Sequence, residues 1–298
     1  MSEILLSGSG VDVRVRPAQG GRIQSIVDRT SGRELLYQRE PDGAASGFIE
    51  ASTGGWDEMF PNDAPWDSHP DHGIVWSTPF SVVRHDTGSA ELAAALPAMG
   101  VMLRKTVAVL PEPRRGIRVE LDLRAMRATG PFMWTSHPML AVAPGWRVDP
   151  GPGLLRADSE LHGRHAPSAT VAAAPPVPAP DGGWVEVVYA FGRTSAAVQS
   201  PDGSAVSRLA WDRSFLPYLW IVTVTGEADL DLCVLLEPST ARAWRMEDAI
   251  ENGTAVQLAA GERRAWWVEL ESLDLPRTAA SPRGDELLIA GRFEASAR

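Results

Sequence analysis

Hydrophobic and polar residues alternate with a period of two along most of the chain. Alternate positions are apolar in VDVRVRP from residue 11, at Val11, Val13 and Val15, and in IRVELDLRAM from residue 117, at Ile117, Val119, Leu121 and Leu123. This alternation places apolar side chains on one face of a β-strand, whereas a helix would repeat them every three or four residues. The same pattern predicts strands in RIQSIVD, RELLY, PFSVVRHD, AELAAAL, VMLRKTVAVL, WVEVVYAFG, SAAVQ, AVSRLAW, LPYLWIVTVTG, TAVQL and RRAWWVELESLD. Short turns rich in Gly, Asn, Asp and Pro separate these runs, which is typical of antiparallel strands.

Residues 230–240 are LDLCVLLEPST. Apart from Asp231, the residues before Glu237 form an apolar run without alternation, and this run ends at the Glu237 carboxylate. Such a run predicts a strand buried on both faces, and Pro238 is expected to end the ladder because proline has no N–H to donate. Glu237 would then lie at the border between core and solvent. Partial burial raises the pKa of a carboxyl group, and a rigid strand aims it, which suits a general base. The alternative is a solvated glutamate that only marks where the strand leaves the core.

Other segments complete the predicted architecture. Residues 41–78 crowd Gly, Pro, Asp, Asn and Trp together, which predicts a long ordered loop that builds a site. Residues 145–183 are rich in Pro, Ala and Gly and predict an irregular surface loop. One short helix is predicted near residues 243–250. The chain is therefore expected to be all-β, a large antiparallel β-sandwich with few short helices, in which residues 1–275 form one domain and 276–298 a loosely held polar tail.

Composition narrows the classes of partner. The formal net charge of −10 argues against a nucleic-acid partner, since that binding depends on clustered Lys and Arg. The single cysteine, Cys233, excludes an internal disulfide, and the single lysine, Lys105, leaves little for Schiff-base chemistry. No apolar run approaches the roughly 20 residues needed to span a bilayer, and the N-terminus lacks the pattern of a signal peptide. We therefore expect a cytoplasmic protein with no membrane partner.

Six histidines are candidates for chemistry, four of them in H-x-x-H pairs: His69 with His72, and His162 with His165. In a loop this spacing does not put two imidazoles on one face, and no fixed acidic or cysteine ligand accompanies either pair, so no metal site is predicted. The sequence also lacks H-E-x-x-H, G-x-S-x-G and a helix-opening G-x-G-x-x-G. Those absences argue against several large classes of enzyme.

Two histidines and several tryptophans stand out by context. In PFMWTSHPML, His137 lies at a predicted strand end and could act as an acid near neutral pH, although it could equally be a structural histidine bonded to backbone. His72 precedes Gly73, which allows close approach of a ligand; the alternative is a turn histidine. Flat aromatic side chains suit the C–H face of a sugar ring but are as common in β-cores. The tryptophans near these positions are Trp56, Trp66, Trp76, Trp134 and Trp220.

Several separated segments, taken in order, resemble the aldose 1-epimerase (galactose mutarotase-like) family. They are GGRIQSIVD, GGWDEMFPNDAP, DHGIVW, SHPML, and CVLLEPST followed by VQLAAGERRAWWVELE. The resemblance implies a galactose mutarotase-like supersandwich that interconverts the α and β anomers of a hexose without a cofactor. It also implies that Glu237 is the general base, His137 the general acid and His72 a sugar-contacting residue. The chain departs from the family pattern in the Pro-Met-Leu after His137 and in Trp76, which leaves the identity of the sugar open.

The substrate-binding residues predicted alongside the acid and base are His72, Asp57, Trp56, Trp76, Trp134 and Trp220. Two alternatives to a neutral-sugar mutarotase remain at this point. One is a noncatalytic carbohydrate-binding or regulatory protein on the same fold. The other is a hexose 6-phosphate mutarotase, which would need arginines at the mouth of the site, for example Arg14, Arg16 or Arg84. A small-molecule sugar is the expected partner in each case, and the protein is expected to be a monomer or homodimer.

Overall fold

The computed structural model describes residues 3–39, 47–174, 176–179, 183–227 and 230–274, and strands dominate it. The strands are β1 (Ile4–Gly8), β2 (Val11–Arg16), β3 (Arg22–Asp28), β4 (Arg33–Glu34), β5 (Trp56–Met59), β6 (Ser81–His85), β7 (Ser89–Leu96), β8 (Val101–Val109), β9 (Arg115–Ala125), β10 (Thr135–Leu140), β11 (Arg147–Asp149), β12 (Leu155–His162), β13 (Thr170–Val171), β14 (Trp184–Phe191), β15 (Ser195–Gln199), β16 (Ala205–Trp211), β17 (Tyr218–Glu227), β18 (Leu230–Ser239) and β19 (Arg263–Asp274). The described residues also contain two short helices, α1 (Phe48–Ala51) and α2 (Met246–Glu251).

The strands form two antiparallel sheets. The first runs in the order β1-β2-β3-β5-β10-β18-β17-β14-β12-β13, with β4 beside β3, and the second in the order β11-β15-β16-β19-β9-β8-β7-β6. The main apolar core lies between the two sheets and contains the alternate residues Leu232, Val234 and Leu236 of β18. The prediction of an all-β antiparallel sandwich is confirmed. The other face of β18 carries Cys233, Leu235 and Glu237, because successive side chains of a strand point to opposite faces.

Three predicted details differ from the structure. The segment 145–183 contains β12, an eight-residue strand that pairs with β14, and is not only an irregular loop. Pairing through backbone groups near the edge of a sheet requires no regular apolar pattern, so composition did not show it. TAVQL makes only the isolated bridge between Val256 and Phe132. Strand β18 continues through Pro238 to Ser239, one residue beyond the predicted end.

The predicted helix is present as α2, displaced about three residues toward the C-terminus at its start. The predicted loop at 41–78 contains α1 and β5, and its residues 41–46 lie outside the described part of the chain. The predicted C-terminal tail, 276–298, also lies outside the described residues. Within the described ranges, no helix combines the length and apolar character needed to cross a membrane.

Candidate active site

Glu237 and His137 face each other across two neighbouring strands of the first sheet. Strands β10 and β18 pair Thr135 with Ser239 and Met139 with Leu235, so the antiparallel register puts His137 opposite Glu237 between those two pairs. His137 Nε2 lies 3.2 Å from Glu237 Oε1, although the two residues are one hundred positions apart in the chain. Pro138 and Pro238 flank them, and neither has an N–H for the ladder.

Both side chains line a cavity of about 210 Å³ on the face of the first sheet that points away from the main core. The cavity is bounded by residues from α1 and the residue after it, the loop after β5, strand β12, the segment before α2, and the outer face of β10, β18, β17 and β14. They are Phe48, Ser52, Asp63, Ala64, Asp71, His72, His137, Met139, Leu161, Val185, Val187, Trp220, Val222, Val224, Leu235, Glu237 and Trp244. A concave, largely apolar site with a few convergent polar groups is the usual form of a small-molecule site.

Burial moves the pKa values of the facing pair in opposite directions. It lowers the pKa of His137 well below its ordinary value, and the charges of His72 and Arg22 lower it further. Burial raises the pKa of Glu237 well above its ordinary value, with a further contribution from Asp63. Both shifts favour the neutral groups, which together hold one proton. A carboxylate facing an imidazolium holds the same number of protons, so one proton transfer across the contact converts one form into the other.

His72 enters the cavity from the loop after β5. Its ring stacks on Phe48, with ring centroids 4.1 Å apart, and stands perpendicular to His137 at 5.4 Å. Burial lowers the pKa of His72, but Asp71 Oδ2 at 2.9 Å from Nδ1 and Asp63 Oδ1 at 3.7 Å from Nε2 outweigh it, so the net shift is upward. The charged imidazolium is therefore favoured at position 72 and disfavoured at position 137.

Asp57 lies next to His137 on the same face of the sheet, but it is not among the residues that line the cavity. It pairs with His137 in the register of β5 and β10, and its carboxylate contacts Arg22 Nε at 2.9 Å, with both side chains almost fully buried. Arg22 also donates to Thr53 Oγ1 at 3.0 Å. The ion pair holds the backbone next to His137, so in this structure Asp57 supports the site instead of lining it.

The predicted tryptophans are divided between the cavity and the core. Trp220 lines the cavity, opposite Glu237 in the register of β17 and β18, and its Nε1 donates to Ala241 O at 2.8 Å. Trp76 packs edge-on against Phe48. Trp56 and Trp134 are fully buried in the core, with their indole nitrogens bonded to Ser136 and Glu58. The substrate contacts predicted for Trp56 and Trp134 therefore have no place in this geometry, since neither ring reaches the cavity wall.

The remaining H-x-x-H histidines lie apart from His137. His69 stacks on Trp66 with ring centroids 6.1 Å apart, and His165 Nε2 lies 3.4 Å from Glu186 Oε1. Among the described residues, no group of three or more His, Cys, Asp or Glu side chains is arranged to hold a metal ion.

Sequence reasoning missed several residues that line the cavity. Phe48, Asp63, Asp71 and Trp244 come from loops and a four-residue helix, where no periodicity indicates which side chains converge. The aspartates could have been suspected from their position beside His72 in a loop dense with Asp, Asn and Pro. The sequence identified the apolar residues of the cavity wall only as parts of strands. Alternation alone does not show that the second face of these strands lines a cavity.

The fold of this chain is similar to that of several solved structures, although its sequence shows little identity to theirs. No protein-family model matches the sequence, and no curated protein matches it either. A solved structure from Synechocystis sp. PCC 6803 matches with a TM-score of 0.71 at 14% identity, covering 92% of this chain and 96% of the other. A candidate aldose 1-epimerase from Escherichia coli K12 matches with a TM-score of 0.67 at 17% identity, covering 92% and 99%. A galactose mutarotase-like protein from Lactobacillus casei ATCC 334 matches with a TM-score of 0.68 at 14% identity, covering 91% and 100%.

These neighbours confirm the resemblance inferred from the separated sequence segments. At such identities the likeness establishes the fold, and the activity has to be argued from the site itself. The chain therefore has the fold of the galactose mutarotase-like proteins.

Proposed function

We propose that the protein is an aldose 1-epimerase, which interconverts the α and β anomers of a hexose through its open-chain aldehyde. The observation that carries the proposal is the contact of 3.2 Å between His137 Nε2 and Glu237 Oε1 in the wall of one cavity. Ring opening needs a base at the anomeric hydroxyl and an acid at the ring oxygen, and these two oxygens are bonded to the same carbon. Two groups that face each other on adjacent strands can reach both oxygens of one bound sugar.

The reaction balances with one proton on the pair. In the form with a Glu237 carboxylate and a His137 imidazolium, the carboxylate removes the proton from O1, electrons from O1 form the C1=O1 double bond, and the C1–O5 bond breaks as the imidazolium Nε2–H protonates O5. Rotation about C1–C2 presents the other face of the aldehyde. Reversal of the same transfers closes the ring and returns the proton to His137. No cofactor is required, because every step is a proton transfer or a bond change within the sugar.

His72 is proposed as a substrate-holding residue rather than a second acid. Its position 5.4 Å from the ring of His137, together with the carboxylates of Asp63 and Asp71 beside it, favours a charged donor that binds a sugar hydroxyl. The same charge opposes protonation of His137. The imidazolium form of His137 is therefore disfavoured in the resting site. When His137 does carry the proton, it gives that proton up readily.

Two observations weigh against the rival functions. A noncatalytic sugar-binding protein has no need for Glu237 and His137 to contact each other within one cavity, so their contact supports catalysis. A sugar-phosphate substrate would require basic groups, but the described cavity lining contains no Lys or Arg. Among the arginines suggested for that role, Arg16 contacts Glu3 and Arg84 contacts Glu91, and neither lines the cavity.

The proposal is tested by coupled polarimetry on freshly dissolved α-D-glucose and α-D-galactose. We expect wild-type protein to accelerate mutarotation, and Glu237→Gln or His137→Asn each to lower the rate about 10²–10⁴-fold, since each removes one proton-transfer group. The matched control is Glu160→Gln, because Glu160 is half exposed and forms an ion pair with Arg245 at the surface. Full activity in Glu237→Gln or His137→Asn would remove that residue from the mechanism.

A further inference from the structure

The cavity floor is built from rows of side chains that cross four strands of the first sheet. Register places His137, Glu237, Trp220 and Tyr189 in one row, since Trp220 pairs with both Glu237 and Tyr189. Side chains on the same face of a strand recur every second residue, about 7 Å apart. The next row therefore begins about 7 Å from the reacting pair, at the distance of the far side of a bound sugar ring.

The two rows beyond the acid/base row contain no polar side chain. The second row is Met139, Leu235, Val222 and Val187, and the third is Cys233, Val224 and Val185. All but Cys233 line the cavity. Two polar residues adjoin this wall. Tyr37 packs against the cluster of Met139, Val224, Cys233 and Leu235 but is not among the residues that line the cavity. Ser52 lines the cavity, and its hydroxyl already contacts the sulfur of Met139 at 3.8 Å and the N–H of Gly54 at 3.3 Å.

The polar groups of the lining gather instead around the first row. His72 stands over His137, and Asp63 and Asp71 contact His72. A sugar bound with C1 and O5 at the acid/base pair would find hydrogen-bond partners at that end, whereas a hydroxyl at the remote end would be buried against aliphatic carbon. A hydroxyl buried without a partner loses its hydrogen bonds to water and gains none in return.

We propose that the substrate is an aldose deoxygenated at the end remote from the anomeric carbon, of the class of the 6-deoxyhexoses. The inference rests on the proposed function for the orientation of the sugar. A methyl group in place of CH₂OH meets the second and third rows by apolar contact and removes the hydroxyl at C6 that would be buried there without a partner. An ordinary hexose could also place its C–H face against this wall, but the hydroxyls at the edge of its ring would then need hydrogen-bond partners nearby. The two rows offer seven apolar residues and leave little room for such partners.

The experiment compares two matched pairs of sugars that differ by one oxygen, D-glucose with 6-deoxy-D-glucose and D-galactose with 6-deoxy-D-galactose. We expect kcat/KM for anomer exchange to be about 10–100-fold higher for the deoxy member of at least one pair, which is the usual discrimination against an added hydroxyl in an apolar pocket. Exchange is measured by polarimetry or by magnetisation transfer between anomeric protons.

A variant tests the wall itself. Val222→Thr keeps the shape of the side chain and adds one hydroxyl to the second row, and should reduce the deoxy preference about 2–10-fold. The matched control is Val83→Thr, on the exposed strand β6, which should leave the preference unchanged. Equal rates within both pairs, or a preference for the parent sugars, would overturn the inference while leaving the proposed reaction intact.

Saturation-transfer NMR with the same four sugars separates the two proposals. Preferential binding of a deoxy sugar without any acceleration would support the apolar subsite and overturn the proposed reaction. The absence of both binding and turnover for all four sugars would overturn both. This measurement uses wild-type protein, so the outcome does not depend on whether Val222→Thr folds.

Discussion

At the scale of single residues, burial decides which ionisable groups carry charge around the cavity. Glu237 and His137 are pushed toward their neutral forms, whereas His72 is pushed toward its charged form by the carboxylates beside it. Asp63 is the most informative of these groups. Burial raises its pKa from 3.8 to about 6, against the attraction of His72 and with a contribution from Asp71. Such divergent shifts within one cavity are typical of catalytic sites.

The shift of Asp63 predicts a specific dependence of stability on pH. Between pH 4 and 6 the folded protein keeps a proton on Asp63 that the unfolded chain has lost, so raising the pH through this window destabilises the fold. Asp63→Asn removes this effect. The free energy of unfolding of the variant, relative to wild type, should therefore rise between pH 4 and pH 7 by at most about 3 kcal/mol.

Urea unfolding at pH 4, 5, 6 and 7 measures this difference. Asp67 is an exposed aspartate in the same loop, and Asp67→Asn serves as the control for the substitution itself. A relative stability of Asp63→Asn that is constant across the window would mean that Asp63 is ionised in the folded protein at pH 5.

At the scale of elements, His137 and His72 are brought together by two different kinds of local structure. His137 is held by the strand register of β10 with β5 and β18. His72 is held by a loop in which His72 and Gly73 both have positive φ, 59° and 68°. A Cβ on Gly73 would lie only 2.2 Å from the carbonyl oxygen of Phe60, so glycine is required there for close packing of two backbones as well as for its conformation.

Gly73 and Gly32 provide a matched pair for testing that requirement. Gly32 has a φ of 69°, but a Cβ at this position would meet no atom within 4 Å, so Gly32→Ala should cost only the penalty of a left-handed residue, about 1–2 kcal/mol. Gly73→Ala should cost about 1–3 kcal/mol more and weaken sugar binding, because the backbone must move to relieve the contact with Phe60 and carries His72 with it.

Chemical denaturation and the KM for mutarotation measure the two effects of these glycine variants. Equal losses of stability in Gly73→Ala and Gly32→Ala would show that the loop adjusts without strain. An unchanged KM in Gly73→Ala would show that His72 keeps its position.

At the scale of the whole molecule, an ion pair in which both side chains are completely buried joins the two sheets. Lys105 of β8 and Glu58 of β5 are completely buried, and Lys105 Nζ lies 3.2 Å from Glu58 Oε1. Trp134 Nε1 donates to Glu58 Oε2 at 3.1 Å. Burial raises the pKa of Glu58, and the charge of Lys105 only partly opposes the rise. The pair lies on the opposite face of the first sheet from the cavity, beneath the strands that carry His137 and Glu237.

Removing one partner of this pair should destabilise the protein more than removing both charges. Lys105→Met leaves the Glu58 carboxyl buried without its partner and should cost about 3–5 kcal/mol. Glu58→Gln in that background keeps the oxygen that accepts from Trp134 but removes the charge, so the double variant should recover part of the loss. Urea unfolding of the two single variants and the double variant measures the coupling. Simple additivity would show that the pair contributes no coupling energy.

The sequence by itself determined the fold class and most strands, because alternation of apolar and polar residues is a local consequence of the strand period. It also singled out Glu237, His137 and His72, through their context and through the family resemblance. It could not show that Trp56 and Trp134 face the core, because a tryptophan on either face of a strand leaves the same local pattern. It also did not reveal β12, whose pairing is made by backbone groups.

Tertiary structure alone decided which residues meet. His137 and Glu237 are opposite because β10 pairs with β18, and that register joins distant segments whose own sequences do not encode it. The apolar rows exist because β10, β18, β17 and β14 align alternate residues on one face, and the cavity exists because α1 and the loop after β5 cover that face. The pKa shifts follow from that cover, since burial depends on what lies above a side chain and not on its neighbours in the chain.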